Sequence, residues 1–333
     1  MHPLDPSTSS PAAEPKAGPA PLRMSIVMGT LNRVEAIGKS IDSLLQQRFP
    51  VDRYEIIVVD NGCTDGTEQV VNALTASAPN LRYVKEPKLG LSNARNKGIA
   101  ESRYELVAFF DDDATAEPNW VATLVAVFER EPGVGAAGGP IFVGWPTSRP
   151  QWMPASCEGY FGHCYYGAER TYLRFPQYPY GSNMVIRKEH LLAIGGFNAN
   201  VGPKGQNMMS AGEQDLFRRL NELPITVVYE PTAPVHHWVQ SDRVTRKWVL
   251  RRAFKHGFSN TRMIYNAGQQ SAGTRIMMLF RASIRSIVGI ASAALGWVTR
   301  KKADVVMSRF ATAMYWAGVM RGTASMLPAA PPR

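Results

Sequence analysis

Cysteine is scarce in this sequence, with three among 333 residues: Cys63, Cys157 and Cys164. An odd and sparse set provides no disulfide framework and suits a reducing compartment. His163 lies between two of these cysteines, but no second pair accompanies them, so we do not expect a zinc site. Residues 1–22 are rich in Pro, Ala and Ser and lack an apolar core. They are expected to form a disordered tail rather than a signal peptide.

Two nucleotide-binding motifs and a long apolar run are also missing. Neither a Walker A loop nor a G-x-G-x-x-G fingerprint occurs, which argues against P-loop and dinucleotide-cofactor chemistry. The candidate membrane segment from Ser286 to Thr299 has fourteen uncharged residues and follows Arg281 and Arg285. A bilayer span needs about 20 apolar residues. We therefore expect helices that lie in a membrane interface, with ordinary amphipathic helices packed on the protein body as the alternative.

Acidic residues are rare in the C-terminal part of the chain. Residues 241–333 hold sixteen Lys and Arg against two acids, a net charge of +14, whereas residues 1–240 carry −4. This asymmetry predicts an anionic partner for a basic helical region at 241–327, which a short tail at 328–333 follows. The region contains no recognised nucleic-acid motif, so we expect an anionic membrane surface and no nucleic acid. The expected location is cytoplasmic, peripheral at the inner face of the cell membrane.

Apolar strands alternate with helical patterns from Met24 onward. MSIVMG, YEIIVVD, LRYVKE and ELVAFFD are typical of buried strands, and helix-spaced segments separate them. This order predicts an α/β fold at 23–240: a Rossmann-like, mostly parallel sheet flanked by helices, with a C-terminal helical extension. Ligands bind such sheets beyond the carboxyl ends of the strands. The polar residues that follow the strands should therefore meet at one edge; they are Thr30, Asn32, Asp60, Asn61 and Asp111 to Asp113.

Three consecutive aspartates follow the fourth strand. Two like charges 4 Å apart repel by about 4 kcal/mol at an effective dielectric of about 20. Asp111 and Asp113 are two residues apart, so in an extended chain they point the same way. Oxygen ligands on one face suit Mg²⁺ or Mn²⁺, and a dication offsets the repulsion. A solvated acidic turn is the alternative, but the position after a buried strand favours a metal site.

Two further segments have open interpretations. Lys88, Arg95 and Lys97 lie near the start of a predicted helix, where basic groups and the helix N-terminus suit a diphosphate. Residues 144–181 contain ten aromatic residues amid prolines and glycines. This segment is either an irregular loop packed on its own aromatic side chains or a platform for a sugar.

Six segments together resemble the family 2 glycosyltransferases of the GT-A fold. In order they are SIVMGTLNR, EIIVVDNGCTDGT, GLSNARNKGIA, LVAFFDDDATAEPNW, GSNMVIRKEHLLAIGGFN and GEQDLFRRL, and the resemblance covers residues 24–245. It implies an inverting enzyme that takes a sugar from a nucleoside diphosphate, with UDP as the expected nucleotide and Mg²⁺ or Mn²⁺ as cofactor. The implied nucleotide-sugar residues are Thr30, Asn32, Arg33, Asp60, Arg95, Asp111 and Asp112, and the implied metal ligands are Asp113 and Asp111.

The resemblance also implies a catalytic base and a histidine. Family members often have Gly-Glu-Asp where this chain has GEQD, so Gln214 replaces the second acid and leaves Glu213 and Asp215. We prefer Asp215 as the general base, with helix capping as the alternative role. In PVHHW we prefer His237 to His236 as a further metal ligand. The basic run that follows would bind phosphate or form a solvated helix face; it comprises Arg243, Arg246, Lys247, Arg251, Arg252 and Lys255.

The sequence therefore predicts a metal-dependent glycosyltransferase that acts in polysaccharide or glycolipid synthesis on a glycan or lipid-linked acceptor. Two alternatives remain open at this point. A sugar nucleotidyltransferase also needs acidic residues on a metal, and a non-catalytic protein could bind nucleotide sugars or polyanions.

Overall fold

A computed structural model describes residues 20–201, 212–267 and 271–326. Apart from residues 20–22, the predicted N-terminal tail lies outside the described residues, as does the predicted C-terminal tail.

The larger sheet of the described chain has eight strands in the order β3-β2-β1-β4-β9-β6-β10-β8. Strand β1 pairs in parallel with β2 and β4, whereas β9 runs antiparallel between β4 and β6. This confirms the predicted α/β fold with a mostly parallel sheet. A smaller sheet has the order β5-β11-β7. The strands are β1 Met24–Thr30, β2 Tyr54–Asp60, β3 Leu81–Lys85, β4 Leu106–Asp111, β5 Ala114–Ala116, β6 Val134–Gly138, β7 Ile141–Gly144, β8 Thr171–Leu173, β9 Met184–Arg187, β10 Thr226–Tyr229 and β11 Val235–Trp238.

Helices cover both faces of the large sheet, which explains why its strands are continuous apolar runs. Side chains alternate between the faces: Ile26 packs with α1, α2 and α4, and Val27 packs with α3, α5 and α6. The helices are α1 Val34–Leu45, α2 Thr67–Thr75, α3 Leu91–Glu101, α4 Trp120–Arg130, α5 Lys188–Ala193, α6 Gly212–Leu220, α7 Arg246–Ala267, α8 Ala272–Val298 and α9 Ala303–Ala324.

The basic C-terminal region folds into the long helices α7, α8 and α9. Helix α9 packs closely against α7, because a Cβ atom at Gly318 would lie 1.9 Å from the carbonyl oxygen of Phe254. A separate apolar cluster joins both helices to a 3-10 helix at Ala155–Phe161. One segment, Gly273–Val298 in α8, is by length and composition alone long and apolar enough to cross a membrane, although the charge-free run within it had been judged too short. Helices α7 and α9 of this region are therefore packed on the body of the protein.

One buried amide connects the two sheets, and its removal should destabilise the fold. The Asn183 side chain donates to the carbonyl oxygens of Pro140 and Ala233 at 2.9 and 2.8 Å, and accepts from Trp120 Nε1 at 2.9 Å. Substitution of Asn183 by Ala leaves these groups buried without a partner, so we expect a loss of about 3 kcal/mol in the free energy of unfolding. Denaturant unfolding measures this, and a loss under about 1 kcal/mol would contradict the role.

Candidate active site

The polar strand ends meet at one edge of the large sheet. In the parallel registers Gly29 lies opposite Asp111 and Thr30 lies opposite Asp60. A cavity of about 960 Å³ opens beside this edge. It is lined by predicted residues from several elements, among them Thr30, Arg33, Arg95, Asp111, Asp112, Asp113, Glu213 and His237. The strand ends that the sequence predicted to meet at one edge do so for Thr30 and the three aspartates, and Glu213 and His237 join them from other elements.

His237 is placed next to the aspartates by the small sheet. Strand β5 begins directly after Asp113 and pairs with β11, so that His237 lies opposite Ala114. The His237 Nε2 atom is 3.0 Å from Asp113 Oδ1, and the backbone N–H of Trp238 donates to the Asp113 carbonyl at 2.8 Å. Because neighbouring residues of a strand point to opposite faces, His236 is directed elsewhere, with its Nε2 atom 3.4 Å from Glu117 Oε1.

Asp111, Asp113 and His237 form a group that could hold a metal ion. Each offers one ligand atom, and these atoms all lie within 4.8 Å of one another. Two carboxylates and one imidazole nitrogen suit Mn²⁺, and Mg²⁺ also accepts carboxylate oxygens while it keeps water and phosphate ligands. The donor set therefore fits the metal that the sequence implied. Asp112 faces the Arg33 guanidinium, with its Oδ1 atom 3.6 Å from Arg33 Nε.

The neighbouring carboxylates of Asp112 and Asp113 have pKa values that are shifted in opposite directions. Burial would raise the pKa of Asp113, but the charges of His237, Arg33 and Arg243 hold it below its usual range. Burial raises the pKa of Asp112, and the neighbouring charge of Asp113 raises it further. Burial would lower the pKa of His237, but Asp113 raises it. Asp113 is therefore the carboxylate best prepared to carry a negative charge toward a cation.

Arg95 connects the aspartates to helix α6. Its side chain is 5% exposed; one guanidinium nitrogen lies 2.7 Å from Glu213 Oε1 and the other lies 3.5 Å from Asp111 Oδ1. The predicted basic trio is only partly brought together: Lys97 pairs with Glu101 on its own helix, and Lys88 is exposed. Helix spacing explains the difference, because Lys97 lies about 200° around the helix from Arg95. The start of α3, with Gly90 and Leu91, does line the cavity.

The structure brings Glu213 to the cavity and turns Asp215 away from it. Asp215 accepts from Arg219 at 3.0 Å and lies 3.5 Å from Arg218, both on its own helix. In the described part of the chain it is not among the residues that line the cavity. The side chains of residues two apart on a helix differ in direction by about 200°, so Glu213 and Asp215 cannot both face the cavity. The sequence-based preference for Asp215 therefore lacks support from the geometry.

Asn32 and Asp60 shape the loops at the border of the cavity. The Asn32 side chain accepts from the Thr64 backbone N–H at 2.7 Å, and Asp60 Oδ1 accepts from the backbone N–H groups of Gly62 and Cys63 at 2.8 and 2.7 Å. Burial would raise the pKa of Asp60, but the N–H donors and Tyr83 lower it. Neither residue is among the described residues that line the cavity, whereas the adjacent Asn61 is. Both hold the turn between β2 and α2.

A second wall of the cavity comes from the C-terminal helices, of which only the basic run with Arg243 and Arg252 was expected to bind phosphate. Trp248, Arg252 and His256 lie on successive turns of α7 and line the cavity with Tyr315 of α9. The spacing of four residues was a signal in the sequence, but nothing there showed which face of α7 meets the sheet. Burial, and then the charge of Arg252, lower the pKa of His256 to about 4, so its imidazole is neutral near pH 7.

The aromatic segment at 144–181 divides into a part that lines the cavity and a part that packs away from it. Tyr160, Phe161, Tyr178 and Tyr180 line the cavity. Trp145 and Trp152 instead pack against the apolar cluster between the 3-10 helix and helices α7 and α9. The segment is thus a packed loop that presents several aromatic side chains to the site.

Comparison with known proteins identifies the family. Residues 25–195, just over half of the chain, match the family described as Glycosyl transferase family 2. The chain belongs to this family. The match includes the strand edge, Arg95 and the three aspartates, whereas Glu213, His237 and the α7 wall lie beyond it. Within a family 2 glycosyltransferase, these last residues must be judged from the geometry of this chain.

Several members of the family are similar over most of their length. Glucosyl-dolichyl phosphate glucuronosyltransferase from Haloferax volcanii is 28% identical over 241 residues, which cover 72% of this chain and 76% of that protein. The succinoglycan biosynthesis protein ExoM from Rhizobium meliloti is 26% identical over 73% of this chain and 75% of its own. Both names indicate glycan synthesis, and this family 2 protein is a glycosyltransferase.

Solved structures confirm the GT-A fold. Mannosyltransferase PcManGT from Pyrobaculum calidifontis, in complex with GDP-Man and Mn²⁺, superimposes with a TM-score of 0.57 at 19% identity, covering 89% of this chain and 87% of that one. The large sheet with its flanking helices is therefore shared at low sequence identity.

Proposed function

We propose that this protein is an inverting glycosyltransferase that moves a sugar from a nucleoside diphosphate to an acceptor hydroxyl. The main support for this proposal is that Asp111, Asp113 and His237 form a possible metal-binding group in the cavity that Glu213 also lines. A metal-binding group at a strand edge suits a diphosphate, and a carboxylate across the cavity suits a base. The Mn²⁺ in the complex of the similar mannosyltransferase supports the metal assignment.

The donor lies at the strand edge in this proposal, with UDP as the nucleotide. Thr30, Arg33 and Asn61 would line the nucleotide end, and Asp111, Asp113 and His237 would hold Mg²⁺ or Mn²⁺. When bound, the dication stabilises the negative charge that grows on the leaving diphosphate. The Arg95 guanidinium, 3.5 Å from Asp111 Oδ1, orients that carboxylate.

Glu213 serves as the general base. Burial would raise the pKa of Glu213, but Arg95 holds it below its usual range, so the carboxylate is ionised and able to accept a proton. The acceptor oxygen attacks the anomeric carbon as its proton passes to Glu213. The bond between the anomeric carbon and the diphosphate oxygen breaks, and the electron pair leaves with the nucleoside diphosphate. A single displacement of this kind inverts the anomeric configuration.

The acceptor lies against the α7 wall. Trp248, Tyr160 and Tyr315 offer flat aromatic faces for a sugar, and Arg252 adds a cationic group near Glu213. An aromatic surface with one guanidinium suits a saccharide that carries an anionic group, such as the phosphate of a lipid-linked acceptor. The similar glucuronosyltransferase is named for such an acceptor, which supports polysaccharide or glycolipid synthesis as the process.

Substitution of Arg252 by Gln tests this acceptor site. We expect the KM for a phosphate-linked saccharide acceptor to rise at least about tenfold, because one charge-assisted hydrogen bond is worth about 1.5–3 kcal/mol. The matched control is Arg251→Gln, since Arg251 is exposed on the same helix and does not line the described cavity. Steady-state kinetics should show the effect with the phosphate-linked acceptor and not with the same saccharide lacking phosphate. An equal effect on both acceptors would contradict the role of Arg252.

A screen of nucleotide sugars with Mn²⁺ tests the proposed function as a whole. Release of a nucleoside diphosphate together with a glycosylated product supports it. Release of free pyrophosphate would identify a sugar nucleotidyltransferase instead. Binding of a nucleotide sugar without turnover, across the acceptors tried, would identify a non-catalytic binding protein.

We also propose that the enzyme works at the cytoplasmic face of the cell membrane. The net charge of +14 in residues 241–333 supports attraction to anionic headgroups. A lipid-linked acceptor would be presented at the same surface.

A further inference from the structure

In helix α8 small side chains are buried and large apolar side chains are exposed, which is the reverse of the usual arrangement in a water-soluble protein. Its small residues Ala282, Ser286 and Ala293 are buried, and Ser286 Oγ donates to the Ala313 carbonyl of α9 at 3.1 Å. A Cβ atom at Gly289 would lie 2.9 Å from that of Ala313, so the two helices are in close contact. Ten large apolar residues of α8 are exposed instead; they are Ile276, Met277, Phe280, Ile284, Ile287, Val288, Ile290, Leu295, Trp297 and Val298.

This arrangement is that of a helix in contact with lipid. In water, helix packing is driven by burial of large apolar side chains, so these face the neighbouring helix. In lipid the acyl chains are as apolar as leucine, and helices pack through small residues while large apolar residues face outward. Ile287 is 66% exposed and Trp297 is 75% exposed, which is costly in water along an entire helix face. The exposed face therefore requires an apolar occupant.

The position of the arginines indicates how α8 is oriented. At about 100° per residue, the exposed apolar residues occupy about half of the helix circumference, opposite the face on α9. Arg281 and Arg285 are both exposed and lie on one flank between these two faces, and Arg285 lies 4.3 Å over the Trp316 ring. A spanning helix would carry Arg281 into the acyl core. A helix parallel to the surface keeps both guanidinium groups at headgroup level.

Charge favours anionic lipid over a second copy of the chain as the occupant. Residues 243–303 contain thirteen Lys and Arg and no Asp or Glu. Two copies that joined through α8 would bring these like charges together. Anionic headgroups provide the opposite charge along the same surface, and each basic residue near them contributes about 1 kcal/mol.

We propose that α8 is embedded in one leaflet of an anionic membrane, with its axis parallel to the surface and its ten exposed apolar residues among the acyl chains. Helix α9 lies between α8 and the cavity: Tyr315 lines the cavity and the next residue, Trp316, contacts Arg285. Packed helix axes are about 8–10 Å apart. The end of the cavity that α7 and α9 line is therefore held close to the membrane. The proposal does not depend on the reaction assigned above.

Substitution of Ile287 by Glu tests the proposal. The full-length protein is mixed with vesicles of phosphatidylcholine that contain one quarter phosphatidylglycerol, and bound protein is measured by flotation. Binding should persist in about 1 M NaCl, where the Debye length is about 3 Å. The variant should bind at least about tenfold more weakly, a change of about 1.4 kcal/mol. The matched control is Leu192→Glu on α5, since Leu192 is 61% exposed and Ile287 is 66% exposed.

Each outcome decides for or against the embedded helix. Loss of vesicle binding in the Ile287 variant alone, with an unchanged melting temperature, supports it. Release of the wild-type protein by salt would show surface attraction alone and would overturn it. The wild-type protein could instead fail to float with vesicles and form a dimer that Ile287→Glu dissociates. That result would make a second copy of the chain the occupant. Arg281→Gln should weaken binding to anionic vesicles and not to pure phosphatidylcholine; an equal loss on both would contradict the headgroup contact.

The orientation has its own test. Cysteine is introduced at Ser271 or at Thr299, the residues that flank the two ends of α8. A membrane-impermeant thiol reagent added outside preformed vesicles should label both positions if the helix lies in the outer leaflet. Protection of one end alone would indicate a spanning helix and would overturn the parallel orientation.

Discussion

Substitution of Asp113 by Asn is expected to lower the rate of sugar transfer at least about a thousandfold, which corresponds to about 4 kcal/mol of transition-state stabilisation. Asparagine keeps the shape of the side chain and removes its charge. Asp113 contacts His237 at 3.0 Å and Arg33 at 3.5 Å, so it is the carboxylate around which the metal-binding group is arranged. Without it the leaving diphosphate loses the dication that would stabilise its charge.

The neighbouring aspartate provides a matched control for this prediction. Asp112 is also buried in the trio but belongs outside the metal-binding group, and its carboxylate faces Arg33. Asp112→Asn should retain Mn²⁺ binding, with a loss of rate of about tenfold, the scale of one weakened charged hydrogen bond. Calorimetry of Mn²⁺ binding and a transfer assay measure both variants. Near wild-type, metal-dependent transfer by Asp113→Asn would remove Asp113 from its assigned role.

The second large effect is expected at Glu213. Glu213→Gln should lower kcat by about 10²–10⁴, the contribution of a positioned general base. Donor binding should be retained, because the proposed base contacts the acceptor hydroxyl. Asp215→Asn should leave kcat within about threefold and instead lower the free energy of unfolding by about 1–2 kcal/mol, since Asp215 pairs with the half-buried Arg218 and Arg219.

The two variants differ in which measurement they change. Transfer kinetics should separate them by at least about tenfold in kcat, and thermal unfolding should show the larger shift for Asp215→Asn. If kcat fell strongly in Asp215→Asn and changed little in Glu213→Gln, Asp215 would be the general base. Equal and small effects on kcat in both would argue that neither acid is the base.

Sequence patterns alone did not distinguish Glu213 from Asp215 as the general base. Both are acids in the same short motif, and the helix that carries them was predicted from its pattern. Which of them faces the cavity depends on how α6 is rotated against the sheet, and that rotation is set by Leu216 and Phe217, which pack in the core. Buried apolar contacts of this kind join residues distant in the chain, so no local pattern encodes them.

The C-terminal helices show the same limit. Their basic charge and apolar character were visible in the sequence and predicted contact with a membrane surface. That α7 forms a wall of the cavity was not visible, because its inward face is fixed by a cluster with the distant 3-10 helix. The inverted faces of α8 also became apparent only once Ala313 of α9 was seen against Gly289.

Local sequence patterns were sufficient to predict the alternation of strands and helices, the strand edge with its three aspartates and the split of charge along the chain. These features rest on local periodicity and on the rule that parallel strands end at one edge. The tertiary structure decided that Glu213 and His237 face the cavity, that Asp215 and His236 do not, and that α8 turns its large side chains outward. Side-chain direction depends on which face each element packs, and that is settled by contacts across the whole chain.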